Sequence, residues 1–372
     1  MSWKRALAEG AVHVTAMCSR SSERPAHPKR IFVLRNNDLG DLLVVTPLFE
    51  ALRRRFPEAE IVAGIGPWSQ AILENNPFVD DVFSVTAPWH NKAISPQSDW
   101  RRLSYCLFSH EVKALREKKC DIGIDILGSP FGSLMMMQAG IPYRLGVRGY
   151  AGGHSACHRW VESDGGRYVG RHALVFAELL GVSAKTLPPV KPQLYMTGAE
   201  IVRGESMWSS RDESVRLVVG FGGGFPEKCW PLDHFRKFLE LMQKSGRHSV
   251  KLVGGPGDQA TGDALAAGLP QVENLAGRIS LRETFALTST AHQVLTNPSM
   301  LMHVAAAFSL PTVVSMGPFF PSVREHNALW ICSPQTTVLG CEVADGFTDV
   351  APVGRVYEHL LSTEPASLSS RV

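Results

Sequence analysis

Two short segments, in opposite halves of the 372-residue chain, hold the residue types that could do chemistry. The first reads Arg35-Asn36-Asn37-Asp38-Leu39-Gly40-Asp41; it follows a short apolar run and leads to Thr46-Pro47 and a helix. A carboxylate on such a loop, Asp38 or Asp41, is a candidate general base for a hydroxyl. The competing role is capping, since acids favour helix starts. The second reads Gly220-Phe221-Gly222-Gly223-Gly224-Phe225-Pro226-Glu227-Lys228-Cys229-Trp230-Pro231. Glycines let backbone N–H groups approach an anion, a helix start adds positive partial charge, and Lys228 follows at once. The spacing is neither a P-loop nor a dinucleotide fingerprint, because Phe225 stands where the last glycine should be. A tight strand-to-helix turn is the alternative. A base in one half and a diphosphate cradle in the other imply group transfer in a cleft between two domains.

Weaker signals surround these two. Gly254-Gly255-Pro256-Gly257-Asp258 follows a strand and either approaches a nucleotide or simply turns the chain. His303, early in a helix that begins near Ser299, either donates to a phosphate or is a satisfied structural histidine. No Asp-x-Asp pair occurs to hold the divalent metal of metal-dependent sugar-nucleotide transferases. HExxH and GxSxG are absent too, so the zinc hydrolase and serine hydrolase readings lose their markers. A nicotinamide oxidoreductase is disfavoured by the incomplete glycine fingerprint.

The elements that must position these residues alternate. Short apolar runs predict strands at 31–34, 60–65, 81–85, 120–126 and 144–147, separated by helices at 47–55, 67–74, 111–119 and 133–139. Thr46 and Pro47 read as N-cap and first helical residue. Residues 86–102 read as a long polar and aromatic stretch, and 148–169 as a loop rich in Gly, His and Ser. A helix at 172–180 ends at Gly181, and the Pro188-Pro189 and Pro192 stretch makes 185–193 a linker. Alternation resumes with strands at 215–220, 250–254, 293–296 and 312–316. Helices are expected at 232–243, 281–288, 300–308 and 353–361, the second opened by a Ser280/Glu283 capping box. The Met135–137 cluster reads as plastic core.

The expected organisation is a basic extension at 1–29, an acceptor-binding domain at 30–184, a linker at 185–193, a nucleotide-sugar-binding domain at 194–350, and a terminal helix and tail at 351–372. The fold class is α/β, two doubly wound Rossmann-like domains. A net charge of +3 implies no nucleic-acid partner. No apolar run spans a bilayer. Seven scattered cysteines without a CxxC pair fit a reducing cytoplasm; Cys332 and Cys341 read as buried thiols before metal ligands. Trp3, Ala6, Leu7 and Val12 could share a helical face beside Lys4 and Arg5, as a peripheral foot on the inner face of the membrane. A frayed terminus is the simpler reading.

Taken in order, the motifs are similar to those of glycosyltransferase family 9, the ADP-heptose:lipopolysaccharide heptosyltransferases. They are Arg35, Gly40-Asp41 and Thr46-Pro47; Lys228, Trp230-Pro231 and Phe235; the 254–258 turn; Asn274 to Gly277 with Ser280-Leu281; and His303, Ala305-Ala306 and Gly317-Pro318. The resemblance covers most of 30–320. It implies a GT-B fold and inverting transfer needing no metal or other cofactor, with a nucleotide-diphosphate sugar as donor and a lipid-linked or cell-surface glycan as acceptor. By the same resemblance Asp41 is the base, and Lys228 with Gly222, Gly223 and Gly224 holds the diphosphate. Gly254, Gly255, Asp258 and Ile279 lie by the nucleoside, and Ser299 and His303 complete the donor site. Asp38 and Arg144 are expected on the acceptor side, within a basic face that includes Arg53, Arg54, Arg101, Arg102 and Arg148. One departure stands out. Where the family carries an aspartate and a glycine before the Ala-Ala helix, this chain has Pro298 and Met300. Either the donor is altered or the site is weakened, and a non-catalytic relative that binds nucleotide sugar or glycan is the second reading.

Overall fold

The computed structural model describes residues 10–14, 16, 23–95, 97–149, 153–163, 166–208, 214–342 and 348–366, with backbone alone at 341–342 and 348–349. Two compact units divide the chain, Met1–Gln193 and Leu194–Val372.

The first unit contains β1 (Arg30–Leu34), β2 (Glu60–Ile65), β3 (Asp81–Ser84), β4 (Ile122–Asp125), β5 (Tyr143–Arg148) and β6 (Arg159–Glu162). They form one parallel sheet in the order β3-β2-β1-β4-β5-β6. The second contains β7 (Val215–Gly220), β8 (His248–Val253), β9 (Val272–Asn274), β10 (Gln293–Thr296), β11 (Thr312–Ser315) and β12 (Thr336–Leu339). These are parallel in the order β12-β11-β10-β7-β8-β9. Numbered within each unit, both sheets run 3-2-1-4-5-6, the doubly wound order whose chain direction reverses between strands 1 and 4. Ligands of such sheets bind beyond the carboxyl ends at that reversal. In this chain those ends belong to β1 and β4 in one unit, and to β7 and β10 in the other.

Central strands such as β1 and β4 bury nearly every side chain, as strands covered on both faces must. Met135 and Met136 lie in the N-terminal core, as expected. Val12 and Ala16 lie there too, so Val12 faces the core and not a membrane; Trp3, Ala6 and Leu7 lie outside the described residues. The stretch after β3 is ordered around Trp89, which stacks on Phe131 and meets Tyr105 edge-on at 5.4 Å. A helix, Asp99–Phe108, starts in the last four residues of the expected 86–102 stretch and runs past it.

Other local expectations are corrected. Thr46 does not cap the Pro47–Arg55 helix: its φ of −54° is helical, and its hydroxyl donates to Leu43 O. The 148–169 segment supplies the edge strand β6. The Ser280/Glu283 capping box is present.

Candidate active site

In the first unit the candidate base and its neighbours lie just past the end of β1. Arg35 is the first residue past the strand, and its backbone N–H donates to Gly64 O. Its buried side chain turns back on the next helix: Nε donates to Asp41 O at 3.1 Å and Nη2 to Asp41 Oδ1 at 3.3 Å. Asp41 is thus not on a loop. It lies in the short helix Leu39–Leu43, its carboxylate about a quarter exposed. Asn36 Nδ2 donates to Ala87 O and Trp89 O, and Asn37 Nδ2 to His90 O, so two amides bind this turn to the Trp89 segment. Asp38 makes no side-chain cap and faces Lys92 at 3.6 Å.

Beside Leu34 in register stands Asp125, the last residue of β4. It is buried and accepts N–H bonds from Gly128 (2.9 Å) and Ser129 (3.0 Å). Burial pushes its carboxyl above the ordinary range, while those N–H groups and the Arg35 charge oppose the shift. The approach is close: a Cβ at Gly132 would lie 2.0 Å from Asp125 Oδ2. Asp125 was not singled out from the sequence; the available signal was an acid ending a fully apolar strand.

The expected basic face is largely spoken for. Arg144 is 2 % exposed and donates to Ile141 O and Ala156 O, which removes it from any acceptor surface. Its guanidinium satisfies carbonyls that would otherwise be buried without partners. Arg53, Arg54 and Arg148 pair with Asp80, Glu50 and Glu162.

The second unit builds its site on Asn297, one residue past β10 and fully buried. Its Oδ1 accepts from Trp230 N–H (2.8 Å), and its Nδ2 donates to Phe221 O (2.6 Å) and Gly222 O (3.3 Å). One amide therefore clamps the glycine loop to the Lys-x-Trp-Pro turn, a role the sequence did not announce. Gly222 and Gly223 are approached closely by side chains: added Cβ atoms would lie 2.8 Å from Asp258 Oδ2 and 2.6 Å from Cys229 Sγ. Gly223 and Gly224 are exposed. Asp258 also caps Gly255 N–H at 2.8 Å and abuts Gly254, so its carboxylate joins the two glycine turns. Ile279 is half-buried, two residues past Gly277, whose N–H donates to Gly254 O.

Lys228 ends a single turn, Pro226–Lys228, and its carbonyl accepts from Gly317 N–H at 3.0 Å. Its Nζ lies 5.1, 4.8 and 5.4 Å from the ring centres of Phe225, Phe319 and Phe320. Each contact of this kind contributes about 0.5–1 kcal/mol at an exposed site. The three rings surround the ammonium. Ser299 opens the Met300–Ala307 helix without capping it; its hydroxyl pairs with Thr296 Oγ1 at 3.1 Å. Pro298 is buried and Met300 half-buried.

His303 lies in the Met300–Ala307 helix. It is 4 % exposed, with its ring against Trp330. Burial, helped by His326, lowers its pKa to about 3, so it is neutral at working pH and brings no positive charge to a leaving group. Burial also lowers His326 to about 4. Unfolding exposes both rings to protonation near pH 6.5, so this contribution to stability is present above pH 6.5 and lost as pH falls towards 4. Stability should therefore fall steeply as pH drops from 6.5 towards 4, because unfolding takes up these two protons. Urea midpoints at pH 7 and pH 5 measure it, and His326→Phe should halve the slope.

Among the described residues no group of three His, Cys, Asp or Glu could hold a metal ion, and no helix is long and apolar enough to cross a membrane. Cys332 is half-buried; the Cys341 side chain lies outside the described residues.

With both strand-end sites in view, the sequence model of glycosyltransferase family 9 (heptosyltransferase) matches residues 109–321, more than half of the chain. The chain belongs to glycosyltransferase family 9. Lipopolysaccharide heptosyltransferase 2 of Salmonella typhimurium is 29 % identical over 313 residues, covering 78 % of this chain and 84 % of that protein. The Escherichia coli heptosyltransferase 2 is 28 % identical over 311 residues with the same coverage. Among solved structures, the E. coli ADP-heptose LPS heptosyltransferase II superposes with a TM-score of 0.69 at 25 % identity, covering 90 % of this chain and 98 % of that one. E. coli heptosyltransferase WaaC with ADP superposes at 0.68 and 19 % identity, over 90 % of this chain and 99 % of that one, and supports the fold. The family 9 chain is therefore a glycosyltransferase with the GT-B fold.

Proposed function

We propose that this family 9 enzyme moves a heptose or related sugar from a nucleotide-diphosphate donor to a lipopolysaccharide-core or other cell-surface glycan. Transfer is inverting and independent of metal. The observation that carries the reading is the carboxylate of Asp41, partly exposed and aimed by buried Arg35 at the carboxyl end of β1. The acceptor is assigned to the N-terminal unit, with Asp38 beside the base. The donor is assigned to the C-terminal unit. There Lys228, the N–H groups of 222–224 and the uncapped start of the Met300–Ala307 helix receive the diphosphate, with the Ser299 hydroxyl alongside. Asp258, Ile279 and the backbone of Gly254 and Gly255 face the nucleoside.

In the reaction the acceptor oxygen attacks the anomeric carbon and its proton passes to Asp41. The bond from that carbon to the phosphate oxygen breaks with inversion, and the nucleoside diphosphate leaves. The leaving charge develops on oxygens held by Lys228 and backbone N–H groups, a type of stabilisation worth about 3–4 kcal/mol per donor in comparable sites. Ammonium and amide dipoles stand here in the place of a divalent cation. Incubation with ADP-heptose and a heptose-acceptor core oligosaccharide should give the extended product at a rate unchanged by a chelator. No product from any nucleotide sugar offered, despite nucleotide binding, would overturn the assignment.

A further inference from the structure

Two phenylalanines of the C-terminal unit stay exposed beside Lys228, Phe225 at 41 % and Phe319 at 49 %. Single exposed apolar side chains are ordinary on a protein surface, but these two are paired. Their ring centres lie 5.9 Å apart and their planes differ by only 3°. Lys228 Nζ is 5.1 Å from one centre and 4.8 Å from the other. The backbone fixes the pair: Phe319 N–H donates to Glu227 O at 3.2 Å and Gly317 N–H to Lys228 O at 3.0 Å, so the two loops are joined. Phe320 anchors them from below. It meets Phe319 edge-on at 5.1 Å and buried His326 at 4.7 Å, and it packs on the cluster of Met302, Val314, Met316 and Val338. The exposed rings therefore stand on a fixed base.

Strand order identifies what the pair meets. The sheet runs β12-β11-β10-β7-β8-β9. Gly254 to Asp258 follow β8 and Ile279 follows β9, on one side of the β7/β10 reversal. Phe319 follows β11, on the other side. From β8 to β11 is three strand spacings, about 14 Å at ~4.8 Å each. A donor with its nucleoside over β8 and β9 and its diphosphate at 222–224 and Lys228 thus extends its sugar towards β11. The residues on that side are mostly apolar: buried Pro298 and half-buried Met300 after β10, then Phe319 and Phe320. The Ser299 hydroxyl among them pairs with Thr296 Oγ1. A sugar arriving there meets ring faces. Such faces carry negative charge and attract the C–H groups on one side of a pyranose. An adenine would stack on the same rings, but the strand order puts the base on the opposite side of the diphosphate.

We propose that Phe225 and Phe319 are specificity-determining residues of the donor site, a two-ring platform that binds the C–H-rich face of the transferred sugar. The proposal rests on the transfer reaction above and extends its donor site from the diphosphate to the sugar. The test is calorimetric titration of the full-length protein with ADP and, separately, with ADP-heptose. Phe225→Leu/Phe319→Leu removes both ring faces and keeps apolar side chains around Lys228; both positions are exposed, so the fold should be retained. The double variant should bind ADP within twofold of wild type and ADP-heptose at least tenfold more weakly. Phe319→Trp, which restores a ring face, should keep the wild-type affinity for ADP-heptose. Equal loss for ADP and ADP-heptose would overturn the proposal, since the rings would then act on the diphosphate or the base. Unchanged affinity for both would overturn it too. Absence of sugar transfer alongside a selective loss of ADP-heptose affinity would count against the proposed function and leave the platform standing. Normal transfer with the wild-type donor KM in the double variant would do the reverse.

Discussion

Asp41→Asn should lower kcat by about 10³, within the usual range for loss of a general base, with the affinity for ADP unchanged. The substitution keeps the size of the side chain and still offers an oxygen to Arg35 Nη2, so the helix and its contacts survive. What is lost is the capacity to accept the acceptor's proton. Initial-rate kinetics with calorimetric nucleotide titration separates the two effects. Arg35 holds the Asp41 side chain from a buried position, with the buried Asp125 in register beside β1. A near-normal kcat in Asp41→Asn would remove Asp41 from the chemistry.

The second large effect belongs to Lys228. Lys228→Met removes the only positive charge in the segment from Gly220 to Pro231 and leaves an apolar chain of similar length among Phe225, Phe319 and Phe320. Loss of a donor to developing oxyanion charge costs about 10²–10³ in kcat. Ground-state binding of ADP should weaken as well, by roughly tenfold, in line with a charged hydrogen bond of about 1.5–3 kcal/mol. Arginine should rescue poorly, because its planar fork differs from a compact ammonium in reach and geometry. Equal kcat in wild type and Lys228→Met would place the diphosphate elsewhere.

Much of this was legible in the residues themselves. Strands β2, β7 and β10 read directly, because buried parallel strands are short apolar runs bounded by turns. The acid and glycine segments read as strand-end turns, and they follow β1 and β7. What stayed hidden has physical reasons. The edge strand β6 buries only Val161 of its four residues and lies within a Gly- and His-rich stretch, which resembles loop. The Gly198–Ser206 helix was missed since glycine weakens a helical signal; Gly204 is needed there, because a Cβ would lie 2.3 Å from Ala286 O. Only the first turn of the Asp99–Phe108 helix lies within the expected 86–102 polar and aromatic stretch, and its apolar residues Trp100, Leu103, Leu107 and Phe108 face outward, so no core-facing periodicity marks it. Asn297 and Asp125 act through tertiary bonds to distant backbone groups, which local pattern does not encode. Arg144 is expected on the acceptor side, but burial turns its guanidinium to the carbonyls of Ile141 and Ala156, a placement local pattern does not encode.

The most direct test is a crystal structure of the enzyme with bound ADP. The account predicts the β-phosphate within about 3 Å of Lys228 Nζ and of an N–H in 222–224, as charge-assisted hydrogen bonds require. A diphosphate lodged instead against Arg35, with the 222–228 loop empty, would contradict it.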